Sequence, residues 1–153
     1  MKKIIVLLLL TNFCYGQIPK NNRAILKATE KYIGRKVGNG ICRDLRDSVL
    51  IDTKLGTPQI HRKSQILTVG YYRDILSKRK KAHPGDLIEF KDVVTKDMLY
   101  PHHVAIVYAK INKDEYYIAH QNTGYSLKES MVIITKFSLS SVESGTVEFH
   151  RVR

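Results

Sequence analysis

The sequence predicts an α+β fold in which N-terminal helices pack on an antiparallel sheet of about five strands. Two observations lead to this prediction. Apolar residues recur at helical spacing before residue 60, whereas from residue 83 onward short β-branched and aromatic runs alternate with polar turns. The chain has 153 residues, of which 43% are hydrophobic and 26% charged. This length and composition indicate one globular domain.

Two helices are predicted in the first third of the chain. Asn21 or Asn22 can cap the first helix. That helix runs to about Ile33, and Gly34 then stands at the position of a C-cap. The second helix begins at or near Cys42, directly after a Val-Gly-Asn-Gly turn.

Five strands are predicted after the turn His-Pro-Gly-Asp that begins at residue 83. They cover residues 87–90, 103–108, 115–120, 131–135 and 146–151. His103 begins the second of these strands and His120 ends the third. Because antiparallel neighbours run in opposite directions, these two histidines are expected side by side. Residues 59–81 show no clear period.

The first sixteen residues have the layout of a secretory signal peptide. Lys2 and Lys3 precede an apolar run at residues 4–10, and small residues follow up to Gly16, after which we expect cleavage. The run is too short to span a bilayer as a helix. The mature domain would therefore be residues 17–153, exported to the periplasm or the cell exterior, with no transmembrane segment after cleavage.

The charge of the chain favours an anionic partner. The formal net charge is +12 at pH 7. Together with the export signal, this charge favours peptidoglycan or another anionic envelope polymer. Nucleic acid is disfavoured because no aromatic residues alternate with the basic ones in the manner of a base-stacking surface. No Gly-rich phosphate loop is present, so no nucleotide cofactor is expected.

Cys42 is the strongest candidate for chemistry. Signal cleavage would remove Cys14 and leave Cys42 as the lone cysteine of an exported chain. At a helix N-terminus, free backbone N–H groups favour the thiolate and can stabilise an oxyanion. A thiolate nucleophile also needs a base, for which His103 is the candidate, and an orienting group, for which His120 or Asn122 is available.

Two other interpretations of these residues stay open. A single cysteine on a helix is more often a small buried residue than a nucleophile. Cys42, His103 and His120 could also bind zinc with one open position, although no short paired-ligand spacing supports a metal site.

Four short stretches, taken in order, resemble a known group of enzymes. They are Gly-Asn-Gly-Ile-Cys at 38–42, Pro-Gly-Asp-Leu-Ile-Glu-Phe at 84–90, His-Val-Ala-Ile-Val at 103–107 and His-Gln-Asn at 120–122. From about residue 25 to the end, this pattern resembles the CHAP family and its NlpC-type relatives. These are cysteine- and histidine-dependent amidohydrolases and peptidases.

The resemblance implies a papain-like fold of the NlpC/CHAP type. It implies Cys42 as nucleophile, His103 as base, and His120 in the third position, with Asn122 two residues further on. The third position carries no acidic residue here. The usual substrates are amide bonds of bacterial cell-wall peptides, cleaved without a metal or cofactor. Two alternatives remain, namely a non-catalytic basic module that binds the envelope or glycan, and an acyltransferase using the same Cys–His pair.

Overall fold

The computed structural model describes residues 18–61, 66–70, 73–76, 82–96, 98–122 and 130–153. The signal peptide predicted at residues 1–16 lies outside the described residues. Two α-helices come first, α1 (Lys20–Glu30) and α2 (Cys42–Asp52). The described strands are β1 (Thr57–His61), β2 (Ile66–Gly70), β3 (Arg73–Ile75), β4 (Leu87–Thr95), β5 (Leu99–Lys110), β6 (Glu115–His120), β7 (Ile133–Ser138) and β8 (Val142–Val152). The α+β class is thus confirmed.

The main sheet is antiparallel and has the strand order β3-β8-β4-β5-β6-β7. Its five longer strands are the five that the sequence predicts, and the three-residue strand β3 is added at one edge. β1 and β2 form a separate two-stranded sheet. β5 starts at Leu99, four residues before the predicted start at His103. The prediction missed these four residues because they are mostly exposed and carry no apolar pattern.

Each face of the main sheet has its own hydrophobic core. On one face, α1 and α2 pack against the sheet. This core includes Ile25, Leu45, Val49, Leu50, Leu87, Ile106 and Ala119. The core on the opposite face includes Ile88, Phe90, Ala105, Val107, Tyr116, Ile118 and Phe149. Side chains alternate along a strand, so His103, which pairs with Phe90, lies on the face away from the helices.

Asp86 joins the N-terminal helix to the C-terminal strand. Its fully buried carboxylate accepts hydrogen bonds from Asn22 Nδ2 at 2.8 Å and from the backbone N–H of His83 at 2.7 Å. The Arg151 guanidinium binds it through Nε at 3.0 Å and Nη2 at 2.8 Å. Close packing extends to Gly85, where an added Cβ would lie 2.3 Å from the carbonyl oxygen of Asn22.

These contacts correct the predicted boundaries of the first helix. α1 begins at Lys20 after Pro19, so neither Asn21 nor Asn22 is its N-cap. Asn22 is fully buried and points to Asp86, a partner 64 residues away in sequence. The helix also ends at Glu30, before the predicted end at about Ile33, and Lys31 rather than Gly34 is its C-cap. Long-range hydrogen bonding, which local sequence does not show, has taken the place of the expected cap.

Within the described residues, neither helix has the length and apolar character needed to cross a membrane.

Candidate active site

Cys42 is the first residue of α2, as the sequence predicts. Its side chain is partly buried and forms no disulfide. The residue before it, Ile41, has extended backbone angles (φ −85°, ψ 152°) and forms the N-cap. The Asp44 carboxylate accepts hydrogen bonds from the backbone N–H groups of Asn39 at 2.8 Å and Ile41 at 3.4 Å. The first turn of the helix is therefore tied to the preceding loop.

The glycines before Cys42 allow this loop to close. Gly38 and Gly40 have φ values of +53° and +87°, which glycine adopts without strain. A Cβ at Gly38 would lie 2.7 Å from Asp44 Oδ2. The predicted tight turn is confirmed. It brings the backbone N–H groups of Asn39 and Ile41 to the Asp44 carboxylate.

His103 and His120 lie side by side, as the antiparallel hairpin predicts. His103 Nε2 is 2.9 Å from His120 Nδ1, and the two rings meet edge to face at an angle of 81°. Both side chains are buried, with 4% and 1% of their surfaces exposed. The other nitrogen of His120, Nε2, is 2.8 Å from Thr135 Oγ1 on β7. A row of hydrogen bonds therefore runs from His103 on β5 through His120 on β6 to Thr135 on β7.

The surroundings of the pair keep both rings neutral. Phe90 and Tyr100 pack beside His103, with ring centroids 5.8 and 5.2 Å from its own. Burial, together with smaller contributions from repulsion by His120 and His102, lowers the pKa of His103 to about 3. Burial also lowers the pKa of His120 to about 4. At neutral pH, each ring therefore carries a single proton.

Gln121 links the histidine pair to the turn before Cys42. Its fully buried side chain donates from Nε2 to the carbonyl oxygens of Ile41 at 2.6 Å and Val37 at 3.1 Å. Its Oε1 accepts from the backbone N–H of Val37 at 3.2 Å. The residue after His120 thus holds the residue before Cys42. Apart from the position of Gln121 between His120 and Asn122, no signal in the sequence indicates this role.

The two other predicted site residues, Asn122 and Cys42, form no hydrogen bond with the histidine pair in the described parts of the chain. Asn122 is exposed, has φ +65°, and lines a shallow depression together with His103. In the part of the chain that the structure describes, no hydrogen bond joins Asn122 to His103, so His120 is the partner of His103. Within the same described ranges Cys42 makes no hydrogen bond, and its contact with His103 stays a prediction.

A cavity of about 360 Å³ opens beside His120. Its wall combines apolar side chains, including Met98, Tyr100 and Phe137, with hydroxyl groups, including that of Thr135. Met98 and Tyr100 also line the depression at His103 and Asn122. The two recesses therefore flank the pair of histidines.

One group with metal-ligand chemistry lies elsewhere among the described residues. Ligand atoms of Glu89, Glu148 and His150, on β4 and β8, lie within 4.8 Å of one another. The carboxylates already bind basic side chains, because Lys91 Nζ is 2.9 Å from Glu148 and Arg46 Nη1 of α2 is 3.9 Å from Glu89. This arrangement is that of an ion-pair network. None of the predicted site residues belongs to it.

The buried histidines predict loss of stability in acid. The pKa values of His103 and His120 in the folded chain lie below the ordinary value near 6.5, so between these limits the unfolded chain binds more protons. The free energy of unfolding should be fully retained above about pH 6.5 and should fall as the pH drops toward 4. The slope is about 1.4 kcal/mol per pH unit for each histidine.

Urea unfolding at pH 7.5, 6 and 5 would measure this slope. The double variant His103→Gln/His120→Gln should show a flatter dependence on pH than the unaltered chain. An equal slope in the two proteins would mean that other groups cause the acid sensitivity.

Comparison with known proteins identifies a solved structure with a similar fold but no family for this chain. No family model matches the chain, and no curated protein matches it. Among solved structures, the crystal structure of a wild-type endolysin, LysIME-EF1, is similar with a TM-score of 0.50 and 15% sequence identity. The match covers 83% of this chain and 63% of the endolysin chain. The chain shares a fold with that endolysin. It spans less than two thirds of the endolysin's length.

Proposed function

We propose that the chain is a cysteine-dependent amidase or peptidase, with a papain-like fold of the NlpC/CHAP type, that hydrolyses amide bonds of bacterial peptidoglycan. The observation that supports this proposal most is the buried His103–His120 pair, which Gln121 ties to the turn before Cys42. An endolysin is a cell-wall lytic enzyme, so the shared fold supports the coarser class of cell-wall hydrolase. Cys42, His103 and His120 are the proposed catalytic groups.

His103 is suited to act as the base through Nδ1. Its Nε2 faces His120 at 2.9 Å, which leaves Nδ1 as the nitrogen available to the Cys42 thiol. The low pKa of His103 keeps the ring neutral until a proton is offered. The proton moves to Nδ1 as the thiolate forms beside it, because the opposite charges then stabilise each other in a site of low dielectric constant.

The thiolate then attacks the carbonyl carbon of the amide. A C–S bond forms, and the carbonyl oxygen takes the negative charge of the sulfur. The backbone N–H groups of Cys42 and Arg43 are the proposed oxyanion donors, because the first turn of a helix has few internal acceptors. Among the described residues of this turn, only the N–H of Asp44 donates to a carbonyl oxygen, that of Ile41 at 3.0 Å.

Collapse of this intermediate breaks the C–N bond. His103 returns the proton from Nδ1 to the leaving amine, and the acyl group stays on Cys42 as a thioester. A water molecule, deprotonated by His103, then hydrolyses the thioester and restores the thiol. His120 holds the ring of His103 in place throughout both stages.

The charge and the export signal extend the proposal to location and partner. Cleavage after Gly16 would remove Lys2 and Lys3 and lower the formal charge from +12 to +10, which still attracts the exported chain to anionic wall and envelope polymers. The signal-like residues 1–16 would deliver it to the periplasm or the cell exterior.

The proposal is tested by digestion of purified peptidoglycan with residues 17–153, beside Cys42→Ala and Cys42→Ser variants. Products are separated and identified by mass spectrometry. We expect new muropeptides from the unaltered chain and a loss of roughly 10³-fold or more in both variants, because the nucleophile is gone. The masses of the products name the amide bond that is cleaved.

Other outcomes point to the competing functions. Binding to walls of several chemotypes without products from any protein would indicate a non-catalytic envelope module. Transfer of an acyl group to an added amine, in place of release, would indicate an acyltransferase. Equal activity in the Cys42 variants would exclude Cys42 as the nucleophile.

A further inference from the structure

The hydrogen bonds of the histidine pair extend to a side chain outside the proposed catalytic groups. His120 Nδ1 lies 2.9 Å from His103 Nε2, and His120 Nε2 lies 2.8 Å from Thr135 Oγ1. Both nitrogens of His120 are engaged, so its ring cannot turn without losing both contacts. We propose that Thr135 is a positioning residue that keeps the pair in the tautomer able to accept the Cys42 proton. This inference rests on the proposed function.

The contact between the rings allows two arrangements of protons. A neutral imidazole carries one proton, on either nitrogen. In the first arrangement, His103 donates from Nε2, its Nδ1 is bare, and His120 carries its own proton on Nε2. In the second, His120 donates from Nδ1, which places the proton of His103 on Nδ1. Only the first arrangement leaves His103 Nδ1 able to accept a proton from the thiol.

Thr135 is placed to support the first arrangement. A hydroxyl can accept from His120 Nε2–H and at the same time donate its own proton elsewhere. Thr135 also lines the cavity of about 360 Å³ beside His120, so its hydroxyl proton can point into that space.

The reaction sets the direction of this hydrogen bond. As His103 takes the thiol proton, positive charge develops on the pair and can pass to His120 through the 2.9 Å contact. A hydroxyl oxygen that accepts from His120 Nε2–H stabilises this charge, and a hydrogen bond to a charged group is about twice as strong as a neutral one. A hydroxyl that donates to His120 would oppose the charge.

The strands fix the place of Thr135 in this arrangement. In the register of β6 and β7, His120 pairs with Ile133, and Thr135 pairs with Ile118. Thr135 and His120 are therefore diagonal neighbours whose side chains point to the same face of the sheet. Because β7 lies next to β6 over its full length, the hydroxyl is held by backbone pairing and not by a loop.

The tautomers can be read directly by nuclear magnetic resonance of ¹⁵N-labelled protein, residues 17–153, through long-range ¹H–¹⁵N couplings in the imidazole rings at pH 7. We expect the proton on Nε2 in both His103 and His120. In Thr135→Val, which keeps the shape and removes the oxygen, we expect a mixture of tautomers. Thr135→Ser, which keeps the oxygen, should match the unaltered chain. A proton on His103 Nδ1 in the unaltered chain would overturn the proposal.

Kinetics on purified peptidoglycan provide the second readout. Thr135→Val should lower kcat by roughly 10-fold to 100-fold with little change in KM, as expected for loss of one hydrogen bond to a developing charge. Thr135→Ser should restore most of the rate. Equal rates for the valine and serine variants would overturn the proposal. Should the valine variant fail to fold, Thr135→Ala takes its place as the variant without a hydroxyl, and a proton on His103 Nδ1 in the unaltered chain would still overturn the proposal.

Failure of this inference and failure of the proposed function give different results. If the unaltered chain produces no muropeptides, the proposed function fails whatever the tautomers are. If it produces them and the tautomers or the serine variant disagree with the expectation, only the role of Thr135 fails.

Discussion

Replacement of His103 by glutamine should reduce peptidoglycan hydrolysis by roughly 10³-fold, within the range that general acid–base catalysis contributes. Glutamine can still hydrogen-bond to His120, but it cannot take the proton of Cys42 or return it to the leaving amine. The measurement is the rate of muropeptide release at saturating peptidoglycan. Thermal unfolding of the same preparation shows whether the buried site still folds.

His102 supplies the matched control for this experiment. It is the neighbour of His103 on β5, but it is exposed and pairs with Lys91, on the opposite face of the sheet from the histidine pair. His102→Gln should lower the rate far less than His103→Gln does, because the exposed ring of His102 has no part in the buried contact between His103 and His120. A large loss of activity in His102→Gln, with little loss in His103→Gln, would show that His103 is not the base.

Replacement of Asp86 by alanine should lower the free energy of unfolding by about 3–5 kcal/mol, the usual cost of breaking a buried ion pair. The change removes the acceptor for Asn22, for the His83 N–H and for two nitrogens of Arg151. One substitution therefore removes the hydrogen bonds that join α1, the turn before β4 and the end of β8. Urea unfolding with an unchanged m-value would measure this loss.

Two further variants show whether the buried network causes the loss. Asp114→Ala removes a carboxylate that is 45% exposed and paired with Lys113 at 3.7 Å, so it should cost less than about 1 kcal/mol. The double variant Asp86→Ala/Arg151→Met should be less destabilised than the sum of the two single variants, because Arg151 no longer lacks its partner. Similar losses in Asp86→Ala and Asp114→Ala would contradict the structural role given to Asp86.

The local pattern of residues was sufficient to predict the start of α2, the five longer strands of the main sheet and the pair of histidines, but not β1, β2 and β3. The start of α2 at Cys42 follows from the glycine turn before it, and β6 has the predicted bounds Glu115–His120. His103 and His120 were expected to meet because β5 and β6 are joined by a short turn, so their register depends on nearby residues alone. These are short-range properties, which is why one sequence was enough to predict them.

The contacts that position the site come from the tertiary structure. Gln121 reaches Ile41 across 80 residues of sequence, and Asp86 joins Asn22 to Arg151 across 64 and 65 residues. Nothing in a periodic pattern shows which distant polar side chain will satisfy a buried amide or carboxylate. That choice is made only when packing removes water and each polar group must find a partner inside the fold.

The sequence by itself therefore determined the α+β class, the helix that begins at Cys42, and the adjacency of His103 and His120. Only the tertiary structure decided that His120, and not Asn122, partners His103, and that Thr135 completes the hydrogen-bonded row. The physical reason is that hydrophobic periodicity depends only on the spacing of neighbouring residues in the sequence. The pairing of buried polar groups depends instead on the distances between strands and helices once the core has formed.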